Sequence, residues 1–411
     1  MTLLAAVFAA SLAVTPADRL AMADRLFNRG DYATAREEYL ALRGEKSIDA
    51  AELAYRLTAS ARAVKDDAAT RAAADAFLVA NPAHKLADSV RLMKAMSGTD
   101  AERRAELPLL DRDDVSLVVR AEALVRLAQI TGDATLYARA LKFDPKGRFA
   151  AYARLMHAMS LHESKDEKER RLAVQELMEL VCGPDAQYAK DALFLAATYS
   201  YGEGRYGECA TLLKRYAQKY PNDARAKDVR RLLALSDLMA GKYAAAIAFC
   251  NDDSDDTLLY VKATASDRLG NRADAMAFAA KYLDSFPQGV NRNAMELLLA
   301  RGEFEDAIKT NGVRLAVAAG KRTVALSEGK NAADRLRLGW AYEKAGEMDL
   351  ADAEYAAVAR DFPKSESAAD ALYRRAMAQL RKEKWAAAEL SLAEAIASGR
   401  LAADRDRKSV V

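Results

Sequence analysis

Cysteine, histidine, proline and aromatic residues are all scarce in this 411-residue chain. Its three cysteines, Cys182, Cys209 and Cys250, are too widely spaced in sequence for a metal-binding pair or a disulfide framework. His157 and His162 lack the spacing of a zinc-binding helix, and no H-E-x-x-H motif accompanies them. The sequence therefore predicts no metal site and no cofactor, and we interpret the cysteines as small buried apolar residues.

The chain also lacks an excess of charge of one sign. Lysine and arginine number 62, aspartate and glutamate 60, and the formal net charge is +2. Charged stretches such as ERRAEL and DEKERRLA mix both signs, which is typical of solvated helix surfaces. No basic surface for a nucleic-acid backbone is indicated, so we do not expect nucleic acid as a partner.

Three short motifs resemble ligand-binding loops but lack the context that such loops need. Gly202, Gly204 and Gly207 spell G-x-G-x-x-G, yet the preceding LFLAATYSY has helical periodicity, whereas a dinucleotide loop follows a strand. AAGKRT has Leu315 and Arg322 where a phosphate-binding P-loop requires Gly and Ser or Thr. NDDSDDT lacks the glycine of an EF-hand loop and is better explained as an acidic cap of the next helix. No catalytic constellation remains, so we predict that the chain is not an enzyme.

What the chain does contain is a repeated turn. Gly204, Gly270 and Gly346 are each followed, at the same distance, by a proline that ends a helix. Weaker copies of the turn begin at Gly30, Gly241, Gly302 and, without glycine, at Glu383. The position seven residues before the turn holds a small residue in six of these copies, as closely packed helices require at their contact: Ala23, Ala197, Ala234, Ala263, Gly339 and Ala376. Each unit is therefore predicted to be a helix, a turn and a second helix.

The segment LRLGWAYEKAGEMDLADAEYAAVARDFP resembles the tetratricopeptide repeat (TPR). The residues that fall at family positions are Leu338, Gly339, Tyr342, Gly346, Ala351, Tyr355 and Pro363. Arg335 stands at the tryptophan position of the family, and Trp340 follows the Leu-Gly pair. The resemblance implies an all-α fold, a right-handed α-solenoid, and counting weaker copies gives roughly eleven helix-turn-helix units.

The quality of the repeat varies along the chain. Residues 18–84 are TPR-like, residues 85–184 are degenerate helical repeats, and residues 185–405 are TPR repeats. No Ser/Gly-rich or Pro-rich linker interrupts them, so we predict one continuous array. Residues 406–411, DRKSVV, match one reading frame of a common sequencing adapter. We therefore expect the natural chain to continue past residue 405, and the regulatory portion of a longer enzyme is one alternative function.

The first 17 residues are free of charge, apolar in their centre and followed directly by Asp18. This pattern is typical of a secretory signal peptide cleaved after Ala13 or Ala17, although no Lys or Arg precedes the apolar run. The run is too short for a membrane span. We expect a periplasmic or otherwise secreted protein; the alternative is a cytoplasmic scaffold whose first helix is alanine-rich.

In the TPR family the first helix of each unit lines a concave groove. If that geometry holds here, aromatic residues at one recurring position point into the groove: Tyr55, Phe194, Tyr260 and Tyr373. The predicted partner-binding residues are Tyr260, Arg268, Trp340, Lys344, Tyr373 and Arg381. Rigid aromatics with a few cations suit a peptide or protein partner. The alternative is that the rings fill gaps between helices.

Two segments, GRYGECATLLKRYAQKYPND and GEMDLADAEYAAVARDFPKSESAADALYRRAMAQL, are similar to envelope TPR proteins of bacteria. That group includes outer-membrane assembly and Tol-Pal accessory factors. The resemblance implies a non-enzymatic scaffold that associates with envelope complexes and has no integral membrane span.

Overall fold

The computed structural model describes residues 15–183, 186–251 and 253–397. In these ranges all regular structure is helical, with 22 α-helices, one short 3-10 helix and no strand. The predicted all-α fold is confirmed, and 22 helices match the eleven predicted helix pairs. Residues 1–14, which make up most of the predicted signal peptide, lie outside the described residues. The adapter-like end, residues 406–411, also lies outside them.

The structure divides into two compact units, Met1–Gly202 (unit 1) and Glu203–Val411 (unit 2). The helices of unit 1 are α1 (Pro16–Asn28), α2 (Tyr32–Ala41), α3 (Ala50–Ala63), α4 (Asp67–Ala80), α5 (Ala87–Met96), α6 (Asp100–Glu106), α7 (Leu117–Thr131), α8 (Thr135–Phe143), α9 (Ala150–His162), α10 (Glu167–Cys182) and α11 (Ala186–Gly202), with the 3-10 helix at Leu107–Leu110.

The helices of unit 2 are α12 (Tyr206–Lys219), α13 (Ala226–Met239), α14 (Tyr243–Ala248), α15 (Asp256–Arg268), α16 (Arg272–Ser285), α17 (Arg292–Lys309), α18 (Val313–Leu326), α19 (Ala332–Lys344), α20 (Met348–Asp361), α21 (Glu366–Arg381) and α22 (Trp385–Ala397). Within each unit the principal helix contacts join helices one or two places apart in sequence. Each unit is therefore an α-solenoid segment in which a helix buries its apolar face against its neighbours.

The predicted turns have the left-handed backbone that glycine permits. Gly204, Gly270 and Gly346 have φ values of 72°, 81° and 78°. Glu383, the copy without glycine, has φ 59°. Helix α11 extends to Gly202, so a helix and not a strand precedes the G-x-G-x-x-G motif. The interpretation of this motif as part of an interhelical turn is confirmed.

The predicted turn at Gly302 is wrong, because this glycine lies inside α17. A Cβ atom at this position would stand 2.3 Å from Sδ of Met276 in α16, so Gly302 permits a close helix contact. The turn comes later, at Asn311, whose φ is 53°. Asparagine tolerates the left-handed region better than most residues, which explains a turn without glycine there.

The small residues before the turns are buried in helix contacts, as predicted. The five alanines of this set are completely inaccessible: Ala23, Ala197, Ala234, Ala263 and Ala376. A Cβ atom on Gly339 would lie 2.7 Å from Cε1 of Tyr355. No larger residue than glycine can therefore stand at this position without movement of the ring.

Two further predictions concern the acidic cap in NDDSDDT and the burial of the three cysteines. Asp255 caps α15, since its Oδ1 accepts a hydrogen bond from the backbone N–H of Leu258 at 3.2 Å, and the capping interpretation of NDDSDDT is confirmed. Cys209 and Cys250 are buried as predicted, whereas Cys182 is exposed, so the prediction for this cysteine is wrong. Cys182 stands at the last residue of α10, where the helix ends and packing is less complete.

Candidate partner-binding groove

Two adjoining cavities lie in unit 2 along the first helices of successive pairs, α15, α17, α19 and α21. The first has a volume of about 380 Å³ and is lined by Phe304, Glu305, Ile308, Lys309, Leu336, Arg337, Trp340, Asp370 and Arg374. The second has a volume of about 390 Å³ and a mostly charged lining that includes Arg268, Arg301 and Asp334. Glu305 and Arg337 line both cavities, so the two are adjacent. We refer to them together as the groove.

Trp340 forms part of the apolar floor of the groove. Its ring is half-buried and lies 6.5 Å from the ring of Phe304 in a tilted arrangement. Nζ of Lys344 lies 5.6 Å from the centre of the Trp340 ring, within the range of a cation–π interaction. Ile308 and Leu336 complete the apolar surface. This part of the groove offers an aromatic and aliphatic platform with a cation at its side.

The charged part of the groove is organised around Asp334, whose side chain is completely buried. Arg301 donates two hydrogen bonds to it, from Nε to Oδ1 at 3.1 Å and from Nη2 to Oδ2 at 2.7 Å. Arg337 donates a third, from Nη1 to Oδ1 at 3.3 Å. A buried carboxylate requires such partners, so this network fixes the direction of both guanidinium groups.

Some cations of the groove have no acidic partner. Arg268 and Lys309 are exposed, and neither takes part in a hydrogen bond or ion pair within the described ranges. The carboxylate of Asp267 likewise takes part in no hydrogen bond or ion pair within those ranges. By contrast, Arg374 lies 3.6 Å from Asp370. Lysine and arginine charges are therefore available to a partner beside the apolar floor.

The six predicted partner-binding residues do not come together at one place. Arg268 and Trp340 line the groove, and Lys344 packs over the Trp340 ring. Arg381 instead donates a hydrogen bond to Oε1 of Glu343 at 2.8 Å. Tyr260 packs against two clusters of core residues. Tyr373 is half-buried in α21 and lines neither cavity. Their role in partner binding stays a prediction.

Sequence reasoning missed four residues that shape the groove: Arg301, Phe304, Arg337 and Arg374. The GEFEDA pattern predicts a turn at Gly302, and this prediction places Phe304 outside any first helix. The helix-length run from Arg292 to Lys309, free of proline, is the signal that could have identified it.

A larger cavity lies elsewhere, in unit 1 between α3, α4 and the loop before α3. Its volume is about 720 Å³, and its lining consists of alanine, aliphatic residues and the charged loop residues Arg43, Glu45 and Lys46. No aromatic residue lines it, and it contains none of the predicted partner-binding residues. We therefore consider the groove of unit 2 the better candidate, since aromatic and arginine anchors dominate protein recognition.

The described residues lack two features that would indicate other kinds of site. They contain no group of three or more His, Cys, Asp or Glu side chains placed to hold a metal ion. They also contain no helix with both the length and the apolar character needed to cross a membrane.

Several solved structures are similar to the chain at low sequence identity. The Cut9–Hcn1 hetero-tetramer of the APC/C is 14% identical with a TM-score of 0.34, and the match covers 96% of each chain. The C-terminal part of a TPR repeat-containing protein from Cytophaga hutchinsonii is 16% identical with a TM-score of 0.43, over 60% of this chain and 98% of that one. Yeast Tom70 is 12% identical with a TM-score of 0.31, over 94% and 93%. All three TM-scores are below 0.5.

No curated protein sequence matches the chain significantly. Two segments, residues 191–223 and residues 335–365, match the family model of the tetratricopeptide repeat. The second contains the Leu-Gly pair before a left-handed glycine turn and the buried Tyr355 that packs against it. Each matched segment spans a helix pair with the predicted left-handed glycine turn, so these two segments are similar to the tetratricopeptide repeat in both sequence and local structure.

Proposed function

We propose that this chain is a non-enzymatic protein–protein interaction scaffold of the bacterial cell envelope and that its groove binds a peptide or protein partner. One observation carries the proposal: Trp340 lies half-exposed on an apolar floor, beside cations that have no acidic partner. The TPR fold is consistent with a protein partner. The envelope location rests on the charge-free first 17 residues and on the resemblance to envelope TPR proteins.

The lining of the groove favours one kind of partner segment. An aromatic or large aliphatic side chain would pack on Trp340, Phe304 and Ile308 and remove apolar surface from water. Acidic side chains next to it would meet Lys309 and Arg268. These lysine and arginine groups steer an acidic segment toward the groove and set its orientation.

Peptides selected from a displayed library on the purified protein are expected to combine acidic residues with an aromatic or large aliphatic residue. Trp340→Ala is expected to weaken their binding about tenfold, because it removes the largest contact surface of the apolar floor. Fluorescence anisotropy of a labelled peptide measures the affinity. In a Trp385→Phe background Trp340 is the sole tryptophan, so its emission reports occupancy of the groove directly.

A matched pair of variants tests the role of charge. Arg268 lies in the groove and Arg314 lies on α18 outside it, and both are exposed without an ion pair in the described part of the chain. Arg268→Ala is expected to slow the association of the labelled peptide with the protein. Arg314→Ala is expected to leave this association rate unchanged. Equal affinity of the Trp340→Ala and wild-type proteins for every selected peptide would place the binding surface elsewhere.

Export is tested separately. Expressed with a C-terminal tag in a Gram-negative host, the protein is expected in the periplasmic fraction without its first 13 to 17 residues. Intact mass distinguishes the two cleavage positions. Only cleavage after Ala13 keeps Thr15, whose Oγ1 accepts a hydrogen bond from the N–H of Asp18 at 3.1 Å and caps α1. A soluble cytoplasmic product with Met1 intact would contradict the envelope location and leave the groove proposal standing.

A further inference from the structure

Unit 1 contains a cluster of four arginines from helices that are distant in sequence. Arg62 lies near the end of α3, Arg103 in α6, Arg126 in α7 and Arg148 in the loop before α9. Arg62 interacts electrostatically with the other three arginines and with one carboxylate, that of Glu122. Among these five groups four arginines face one carboxylate, so the cluster holds a surplus of positive charge.

Arg62 is the least compensated member of the cluster. Burial lowers the pKa of Arg62 below its usual range; the carboxylate of Glu122 opposes this change, and Arg126 adds to it. Within the described residues no hydrogen bond or ion pair involves the Arg62 guanidinium. A half-buried charge without a partner opposes folding, because it loses hydration and gains no compensating contact.

Two other arginines are also incompletely paired. Nε of Arg126 is buried without a hydrogen-bond partner in the described part of the chain, and it stands 3.7 Å from Oε1 of Glu122, beyond hydrogen-bond distance. Arg103 is held by Asp100 at 3.1 Å, yet its buried Nε also has no partner there. Donors of the cluster are therefore left open.

An aromatic ring and a small cavity lie beside these arginines. The ring of Phe149 is within cation–π distance of two guanidinium groups, with Cζ of Arg126 at 4.7 Å and Cζ of Arg148 at 4.8 Å from its centre. Beside it is a cavity of about 180 Å³ whose lining includes Phe149, Arg148, Glu122 and Asp144. This volume is smaller than a typical pocket for a drug-sized ligand and suits one side chain or one small anion.

We propose that Arg62, Arg126 and Arg148, the last two in contact with the Phe149 ring, form a binding site for an oxyanion group, a carboxylate or a phosphate. The planar guanidinium fork matches both groups, and a bound oxyanion would supply the acceptors that the cluster lacks. Phe149 holds two of the guanidinium groups in place by cation–π contact. Glu122 and Asp144 limit the surplus charge, which selects against a polyanion that would need a wider basic surface.

The site is tested by the melting temperature of the full chain in sodium phosphate and in sodium chloride at matched ionic strength, and with a peptide of alternating glutamate and alanine. Wild type is expected to melt higher with phosphate or with the peptide. A shift with phosphate identifies a small-anion site, and a shift with the peptide alone identifies an acidic segment of a partner. Either result supports the proposal.

Three variants make the test specific. Arg62→Met is expected to raise the melting temperature of the unliganded protein by about 2 °C, because it removes an uncompensated charge, and to abolish the ligand-induced shift. Arg148→Gln changes an exposed residue and is expected to abolish the shift without loss of folding. Arg29→Gln, at an exposed arginine of unit 1 without an ion pair in the described ranges, is the control and keeps the shift. Equal shifts in wild type and all three variants, or no shift in wild type, would overturn the proposal.

Discussion

Replacement of Tyr355 by alanine is expected to lower the free energy of unfolding by about 3 to 5 kcal/mol, the usual cost of removing a buried aromatic ring. Tyr355 is completely inaccessible and packs against Gly339 of α19, where there is no room for even one further carbon atom. Its hydroxyl donates a hydrogen bond to Oε2 of Glu343 at 2.9 Å. Burial raises the pKa of Tyr355, so the hydroxyl remains the donor across the neutral range.

The comparison with Tyr355→Phe separates packing from hydrogen bonding. The phenylalanine variant keeps the ring and loses only the hydroxyl, so a loss of about 1 kcal/mol is expected. Urea unfolding followed by the fluorescence of Trp340, in the Trp385→Phe background, measures both variants within unit 2. A loss in Tyr355→Ala no larger than in Tyr355→Phe would show that the ring does not stabilise this helix pair.

The second large effect is expected at the buried carboxylate of the groove. Arg301→Met is expected to lower the free energy of unfolding by about 3 kcal/mol, because Asp334 is then buried with Arg337 as its main partner. The value is at the lower end for a buried ion pair, since 37% of the Arg301 side chain is exposed to solvent. Chemical denaturation in the same fluorescence background measures the change.

The double variant Arg301→Met/Asp334→Leu is the control for this prediction. Removing both charges leaves no buried carboxylate without a partner, so the double variant is expected to recover most of the stability lost by the single one. If the double variant is less stable than Arg301→Met, the carboxylate stabilises the fold through its other contact, the hydrogen bond that it accepts from Nη1 of Arg337.

The helix pairs and most turns could be predicted from the sequence because their determinants are local. A left-handed backbone favours glycine, and Gly204, Gly270 and Gly346 all have one. The buried alanines recur seven residues before the turn because the two helices of each of these pairs make the same close contact. The turn at Asn311 escaped prediction because asparagine is a weaker turn signal than glycine, and Gly302, nearby in sequence, has a packing role instead.

The full lining of the groove and the arginine cluster could not be predicted, because both depend on side chains from helices that are not adjacent in sequence. The pair formed by Arg301 and Asp334 joins α17 to α19. Arg62 and Arg126 come from α3 and α7. Periodicity predicts which face of a helix is buried, but it does not predict which charges on different helices meet. Trp340 could be identified from the sequence by its place six residues before the turn at Gly346.

The restriction of the principal contacts to helices one or two places apart has a consequence for how each unit folds. Contacts of short sequence separation require little loop closure before they form, so helical chains of this kind belong to the fast end of the folding scale. Order can begin at any well-formed helix pair and spread to its neighbours. In the pair α19 and α20 a buried tyrosine packs directly against a glycine, and we expect this pair to act as a starting point from which unit 2 becomes ordered.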